Sequence, residues 1–259
     1  FAMLLSIDPV FAAWWNGSWQ YRKSITVDHT KVGGSLLDFP VLVDLTDSDL
    51  SVKARADGGD IVFVDDSGNK LNHEIEFFDN VTGRLIAWVQ VPSLSSTTDT
   101  VVYMYYGNPA ASSQQNAHAT WDTNYVLVQH LKESSGTLYD STGYGNNGTS
   151  YGGVSQNVTG KIDGAANFDG VNDYVNCGNS ASLKNIANEI TIEAWIYVPE
   201  LRAGWTQLVY KIGTTPTMAG YQFVISDVGD LKFRVFSGGT WYGVNFVGTV
   251  SVNTWQHVV

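Results

Sequence analysis

The chain has 259 residues, a net charge of −11 and a low charged fraction of 15%, while Gly, Tyr, Trp and Phe are abundant. An acidic chain with no basic run repels phosphate backbones, which argues against nucleic acid as a partner. No stretch of 18 consecutive apolar residues occurs, so the sequence predicts no membrane span in this segment. The single cysteine, Cys177, excludes an intrachain disulfide and is expected to be a small buried residue.

The first residues resemble the end of a secretory signal peptide. Apolar residues lead to a small-residue site at Ala12 and Ala13, which is typical of signal-peptide cleavage. We therefore expect residues 1–13 to be the remnant of a signal peptide, and the protein to be exported to a prokaryotic cell surface. The three tryptophans within residues 14–19 are expected to pack onto the first module.

Six segments before residue 107 are rich in β-branched and aromatic residues between polar turns, which predicts strands. They are residues 21–28, 40–45, 60–65, 71–78, 83–92 and 100–106. Strands of this number and spacing predict a β-sandwich. The small, polar segment 109–120 then begins with a proline and is typical of a linker or a long surface connection.

A second series of strands is predicted after this segment. It comprises residues 125–131, 165–170, 173–177, 189–198, 206–212, 220–226, 231–236 and a strand near 241–250. The final residues 255–259 read as a strand that is cut short, so we expect the C-terminal strands of this module to be missing. The fold class is therefore predicted to be all-β, with two β-sandwich (jelly-roll) modules at residues 14–118 and 119–259.

Several motifs of the first module occur in a fixed order. They are WQYRKSITV, FPVLVDL, DGGDIVF, LNHEIEFF and MYYGNP. Together they resemble the domain of unknown function 2341 family of archaeal and bacterial surface proteins, over residues 14–118. This resemblance implies a β module and no particular activity.

The second module carries the motifs DSTGYGNNGT, GKIDGAANFDGVNDYV, EITIEAWIYV and NTWQHVV. These resemble the laminin-G-like, concanavalin-A-like jelly-roll superfamily over residues 119–259. The resemblance implies a two-sheet sandwich that binds carbohydrate, protein or calcium. Because folds of this kind host many functions, it implies no single ligand.

Two loops of the second module are dense in Asp, Asn and Gly. Calcium prefers six to eight oxygen ligands, and such loops supply carboxylate and amide oxygens. The predicted metal ligands are Asp140, Asn146, Asp169 and Asp173. Asx turns that stabilise the loops without a metal explain the same residues, so both interpretations stay open.

Several aromatic residues lie beside glycine or polar turns, where a flat ring can contact the C–H face of a sugar. The predicted ligand-binding residues are Tyr144, Tyr151, Trp205, Trp241 and Tyr242. Tyrosine and tryptophan combine a large apolar ring with a polar group, which suits this contact. Packing within the module is the alternative for each of them.

The run His73-Glu74-Ile75-Glu76 is the strongest candidate for catalysis in the chain. On a strand, both glutamates share a face, and a glycosidase needs a carboxylate pair roughly 5–9 Å apart. We favour a solvent-exposed face whose glutamates pair with Arg22 or Arg84. No hydrolase or nucleotide-binding motif occurs, so we predict no catalytic residues and no enzyme.

The sequence thus predicts a non-catalytic extracellular binding or adhesion protein. Its expected partner is a polysaccharide or glycan, with calcium assisting, or else a cell-surface protein. Two alternatives stay open. The modules could be the accessory region of a larger glycoside hydrolase, or a structural domain of an envelope protein, including the head of a proton-channel-type membrane protein.

Overall fold

The computed structural model describes residues 14–184, 186, 189–212, 220–248 and 250–259. The predicted signal-peptide remnant, residues 1–13, lies outside these residues. Within them the fold is all-β with a few short helices, which confirms the predicted fold class. The chain forms two compact units. Unit 1 runs to His130 and includes Ser141–Gly145, and unit 2 comprises Leu131–Asp140 and Asn146–Val259.

Unit 1 is built from two antiparallel sheets. Its strands are β1 (Tyr21–Val27), β2 (Leu36–Thr46), β3 (Val62–Asp65), β4 (His73–Asp79), β5 (Arg84–Leu94) and β6 (Thr100–Tyr106). The strand orders are β1-β6-β3 and β2-β5-β4. Its helices are a 3-10 turn (His29–Lys31), α1 (Ser48–Lys53) and α2 (Ala117–Thr120). Every strand predicted before residue 107 overlaps one of these six.

Both sheets of unit 1 contribute to one core. Alternate residues of β5 point inward, and Leu85, Ala87 and Val89 are almost completely buried. They share the core with Phe63 and Met104 of the other sheet, so unit 1 is a β-sandwich. The outer face of sheet β1-β6-β3 carries a second, smaller apolar cluster, which includes tryptophans of the segment 14–19.

Unit 2 contains the remaining elements. They are β7 (Thr137–Leu138), β8 (Gly148–Tyr151), β9 (Ser155–Thr159), β10 (Gly164–Asn167), β11 (Tyr174–Asn176), α3 (Ala181–Lys184), β12 (Ala194–Tyr197), β13 (Trp205–Ile212), β14 (Gly220–Ser226), β15 (Leu231–Ser237), β16 (Thr240–Phe246) and β17 (Trp255–Val258). The largest sheet is the antiparallel meander β13-β14-β15-β16. Its inner face packs Phe223, Ile225 and Leu231 against Val250 and Val258.

Two expectations about the strands were wrong. The predicted strand at 125–131 forms no strand, and its last residue, Leu131, takes a positive φ of 57°, outside the extended region. Strands β7, β8 and β9 were not predicted, since they are short and rich in Gly, Ser and Thr. None of the helices in the described residues is long and apolar enough to cross a membrane.

Candidate functional site

The four-stranded sheet of unit 2 carries aromatic and basic side chains on one face. Residues opposite each other in an antiparallel pair point to the same side, as do residues two apart on one strand. The register of β13 to β16 therefore places Trp205, Arg234 and Trp241 on a common face. The other face, with Phe223 and Ile225, points into the core.

The guanidinium of Arg234 lies over the rings of both tryptophans. Cζ of Arg234 lies 4.8 Å from the ring centroid of Trp205 and 5.3 Å from that of Trp241. Nζ of Lys232 lies 5.4 Å from the Trp205 centroid. Trp205 nevertheless remains 45% exposed. Cation–π contacts of this kind order the rings without burying them, and we call Trp205, Arg234 and Trp241 the tryptophan–arginine array.

The neighbouring strands hold Arg234 in position. Gly243 lies opposite Arg234 on β16. A Cβ at Gly243 would lie 2.3 Å from the backbone oxygen of Phe233 and 2.7 Å from Cγ of Arg234. On the other side, Arg234 is opposite the buried Gln222 of β14. Glycine is therefore required at position 243 if β16 is to pair closely beside the arginine stem.

The array has the chemistry to bind a flat, hydroxylated ligand. Indole rings offer broad apolar surfaces to C–H groups, and a guanidinium has five N–H donors for hydroxyl oxygens. Tyr210, which is 54% exposed, lies opposite Gln222 and so extends the same face. The face therefore combines stacking surfaces with hydrogen-bond donors across several strands.

The other predicted ligand-binding residues lie elsewhere. Tyr242 is 61% exposed but points to the opposite face of β16 from Trp241. Tyr151 stacks on Tyr174 with ring centroids 5.0 Å apart, where β8 pairs with β11. Tyr144 belongs to unit 1, where its hydroxyl donates a hydrogen bond to a backbone carbonyl. The structure thus brings together two of the five predicted residues.

Arg234 was not among the residues predicted from the sequence to bind a ligand. Its strand reads LKFRVF, in which Leu231 and Phe233 alternate with Lys232 and Arg234. This alternation places both basic residues on the face away from the core. Combined with the neighbouring tryptophan-bearing strands, the pattern could have located the array.

The first predicted calcium loop is closed by its own hydrogen bonds. The backbone N–H of Asn146 donates to Oδ2 of Asp140, and the Asn146 side chain bonds the hydroxyls of Ser180 and Ser182. Asp140 and Asn146 are both buried. These hydrogen bonds stabilise the loop, although they span more residues than the Asx turns of the alternative interpretation.

The second predicted loop includes a carboxylate oxygen with unused bonding capacity. Oδ2 of Asp173 accepts the backbone N–H of Asp169, while Oδ1 of Asp173 is buried and has no hydrogen-bond partner among the described residues. An unpaired buried carboxylate oxygen suits a cation. Nη1 of Arg202, however, donates to the backbone oxygen of Asp169 at 2.9 Å, which places a positive charge beside this loop.

One acidic group with metal-ligand spacing occurs elsewhere. In the described part of the chain, only Asp28, His29 and Asp99 bring three such ligand atoms within 4.8 Å of one another. Nδ1 of His29 lies 2.7 Å from Asp99, and the Asp28 carboxylate accepts hydrogen bonds from Thr30. These contacts explain why the three side chains lie close together, and they do not require an ion.

The expected solvent exposure of Glu74 and Glu76 was wrong. The two glutamates do share a face of β4, but both are only 7% exposed. Nδ1 of His130 lies 3.0 Å from Glu76, and Nε2 makes an ion-pair contact of 3.2 Å with Glu74. The expected arginine partners are engaged elsewhere, because Arg22 stacks on aromatic rings and Arg84 pairs with an aspartate.

Tryptophan and serine donors complete this buried group. Nε1 of Trp121 donates to Glu74 at 2.9 Å, and Nε1 of Trp88 donates to Glu76 at 2.7 Å. The hydroxyl of Ser141 donates to the second oxygen of Glu74 at 2.7 Å. The carboxylates are thus used to hold the segment around Trp121 on the sheet rather than presented to a substrate.

The pKa values of this group follow from its geometry. Burial alone would lower the pKa of His130, but the contacts with Glu74 and Glu76 outweigh it and raise this pKa to about 9. Burial would raise the pKa of Glu74, yet His130, Trp121 and Ser141 together lower it to about 2. At neutral pH His130 is therefore an imidazolium beside the Glu74 carboxylate.

Two families have sequence models that match the chain. Residues 57–174 match the domain of unknown function family DUF2341, and residues 168–259 match the concanavalin A-like lectin/glucanases superfamily. The first match both begins and ends later than the resemblance predicted at residues 14–118. No curated protein and no solved structure matches the chain. The chain thus has a segment that matches the DUF2341 model, followed by a segment that matches the concanavalin A-like superfamily, whose fold is compatible with carbohydrate binding.

Proposed function

We propose that the protein binds carbohydrate through the tryptophan–arginine array of unit 2. The observation that carries the proposal is the stacking of Arg234 on Trp205 and Trp241 on the outer face of the sheet. The rings would contact the apolar face of a sugar, while the guanidinium would donate to its hydroxyls. The concanavalin A-like superfamily match at residues 168–259 supports the same class of ligand.

The proposed role is binding without catalysis. The carboxylate pair that the sequence offered for hydrolysis, Glu74 and Glu76, is buried and engaged by His130. A general acid must reach the glycosidic oxygen directly or through one water, which this enclosure disfavours. The proposed location is the outside of a prokaryotic cell, in keeping with the signal-peptide-like residues 1–13.

Calcium assistance is part of the proposal and is centred on Asp173. Its buried Oδ1 would be one ligand, and Asp169 and backbone oxygens of the same loop would be others. A bound ion would order the loop in unit 2 and raise the melting temperature. The test is a thermal melt with calcium and with a chelator, for the wild type and for Asp173→Ala. A calcium-dependent rise in the wild type that is absent in the variant supports the site, and equal melts reject it.

The carbohydrate proposal is tested on a glycan array with the full chain. A glycan that binds is then titrated by calorimetry against Trp205→Ala and Trp241→Ala. Because each substitution removes a stacking ring, the affinity should fall by about tenfold or more.

Tyr242→Ala is the matched control, because it removes an exposed ring from the opposite face of the same strand. Its affinity should stay close to that of the wild type. If no glycan binds the full chain, or if Tyr242→Ala weakens binding as much as Trp241→Ala does, the array is not the carbohydrate site.

A further inference from the structure

Unit 1 has an aromatic cavity of its own, which no sequence pattern predicted. It has a volume of about 210 Å³, is partly open to solvent and lies beside the outer face of sheet β1-β6-β3. Its walls include the rings of Trp14, Trp15, Tyr103 and Tyr105, and the turn at residues 65–68 lines another side. All of these residues belong to unit 1, so the cavity shares no residue with the tryptophan–arginine array.

The rings of the cavity are held in fixed positions. Trp14 meets Tyr105 edge-to-face with centroids 5.3 Å apart, and Trp15 lies 5.9 Å from the same ring. The backbone N–H of Trp15 donates to the Tyr105 hydroxyl at 3.2 Å. The indole N–H of Trp14 donates to the backbone oxygen of Trp19 at 3.0 Å. The cavity is therefore ordered without a ligand, which lowers the entropic cost of binding.

An arginine already uses the cation-binding capacity of these rings. Cζ of Arg22 lies 4.9 Å from the Tyr103 centroid and 5.4 Å from that of Trp14. Nη1 of Arg22 also donates to the Tyr105 hydroxyl. A second cation beside this guanidinium would be repelled, so an ammonium ligand is disfavoured.

The turn of the cavity supplies carboxylates. Asp65 stabilises the turn, since it accepts the backbone N–H groups of Ser67 and Asn69. Asp66 is exposed, and its carboxylate accepts a hydrogen bond from the Ser67 hydroxyl at 3.3 Å. Two aspartates against one arginine leave a negative balance around the cavity, which disfavours an anionic ligand.

We propose that this cavity binds a single neutral sugar residue, as a second carbohydrate site on the chain. Its volume is below the roughly 300–1,000 Å³ of pockets that enclose drug-sized ligands, so it suits one ring rather than a chain of them. The aromatic walls would contact the C–H groups of the sugar, and Asp66 would accept from its hydroxyls. The inference shares its ligand class with the proposed function but uses other residues in another unit.

The test uses the full chain with Trp205→Ala and Trp241→Ala combined, so that the array cannot contribute. Neutral monosaccharides are titrated and detected by saturation-transfer NMR, and Asp66→Asn or Trp14→Ala is then added. We expect sugar binding to persist in the double variant and to weaken about tenfold or more with either addition. Asp66→Asn is the clearer test of the two, because Asp66 is exposed and replacing its carboxylate should not affect folding.

Asp227→Asn, an exposed aspartate in unit 2, serves as the control and should leave binding unchanged. Loss of all sugar binding in the double array variant would overturn the second site while supporting the array. Sugar binding that survives both Asp66→Asn and Trp14→Ala, or binding of choline in place of sugar, would also overturn it. If the double array variant binds sugar as well as the wild type does, and only Asp66→Asn or Trp14→Ala weakens binding, the second site is supported and the proposed array is contradicted.

Discussion

Nδ1 of His130 lies 3.0 Å from Oε2 of Glu76, and both side chains are almost fully buried. Together with Glu74, this contact forms an ion triad on the outer face of β4, within the DUF2341 match. Removing one member of a buried ion group leaves an uncompensated charge, whereas the intact group adds little net stability. The triad therefore matters most for keeping the segment 121–130 on the sheet.

Replacing the imidazole should destabilise unit 1. In His130→Gln both carboxylates lose their cation, and we expect a loss of roughly 3–5 kcal/mol in the free energy of unfolding. Urea denaturation measures this loss. His257→Gln is the matched control, because its pair with Glu193 is exposed and should change stability by no more than about 1 kcal/mol. Equal effects of the two substitutions would contradict the importance of the triad.

The raised pKa of His130 predicts a loss of stability in alkali. The pKa is about 9 in the folded chain and 6.5 in the unfolded chain. The folded state thus binds the proton more tightly, so the stabilisation is complete below about pH 6.5 and is lost as pH rises through 9. The urea midpoint should fall between pH 6.5 and 9 in the wild type, and this fall should be smaller in His130→Gln. If the urea midpoints of the wild type and His130→Gln fall equally between pH 6.5 and 9, His130 is not the cause of the fall.

Gly243→Ala should damage the sheet that carries the tryptophan–arginine array. The added Cβ would meet the Phe233 oxygen and the Arg234 stem, so β16 must shift, at a cost of roughly 1–3 kcal/mol. Glycan affinity should fall as well, because Arg234 and Trp241 would separate. Gly143→Ala is the control, since an added Cβ there would meet nothing within 4 Å. A wild-type melting temperature for Gly243→Ala would contradict the close fit.

Asp60→Ala should strongly destabilise unit 1. The Asp60 carboxylate is completely buried and accepts the backbone N–H groups of Arg55, Gly107 and Asn108. Alanine leaves all three donors without this acceptor, and each unsatisfied donor costs about 1–3 kcal/mol. Urea denaturation should therefore show a loss of roughly 3 kcal/mol or more. Asp57→Ala, on the exposed side of the same turn, should cost far less, and similar losses would argue against this role for Asp60.

The strands of unit 1 could be predicted because their alternation is local. His73 and Ile75 point to the core and the two glutamates of β4 point away, as the spacing predicts. The residues that cover the glutamates, Trp121 and His130, could not be predicted from the sequence around β4, because they belong to a segment far along the chain. The strand predicted at 125–131 was wrong, because local alternation does not show whether a segment pairs with a partner strand.

Part of the candidate site in unit 2 could also be predicted from the sequence. Trp205 and Trp241 could be selected because each lies beside a polar turn and an alternating strand. That they share a face with Arg234 depends on the register of four strands, which hydrogen bonding sets and composition does not. The aromatic cavity of unit 1 depends on a loop and two strands that are distant in sequence, so no local pattern indicates it.

The path of the backbone limits how the gene can be divided. The chain leaves unit 1 after His130, returns for Ser141–Gly145 and leaves again, so no single cut separates the units. A fragment that stops at residue 118 would lack Trp121, His130 and Ser141. Glu74 and Glu76 would then lose the hydrogen bonds and ion-pair contacts that these residues make with them. A split-gene or domain-fusion design must therefore keep residues 14–145 together, because β1 and β2 also belong to the sheets of unit 1.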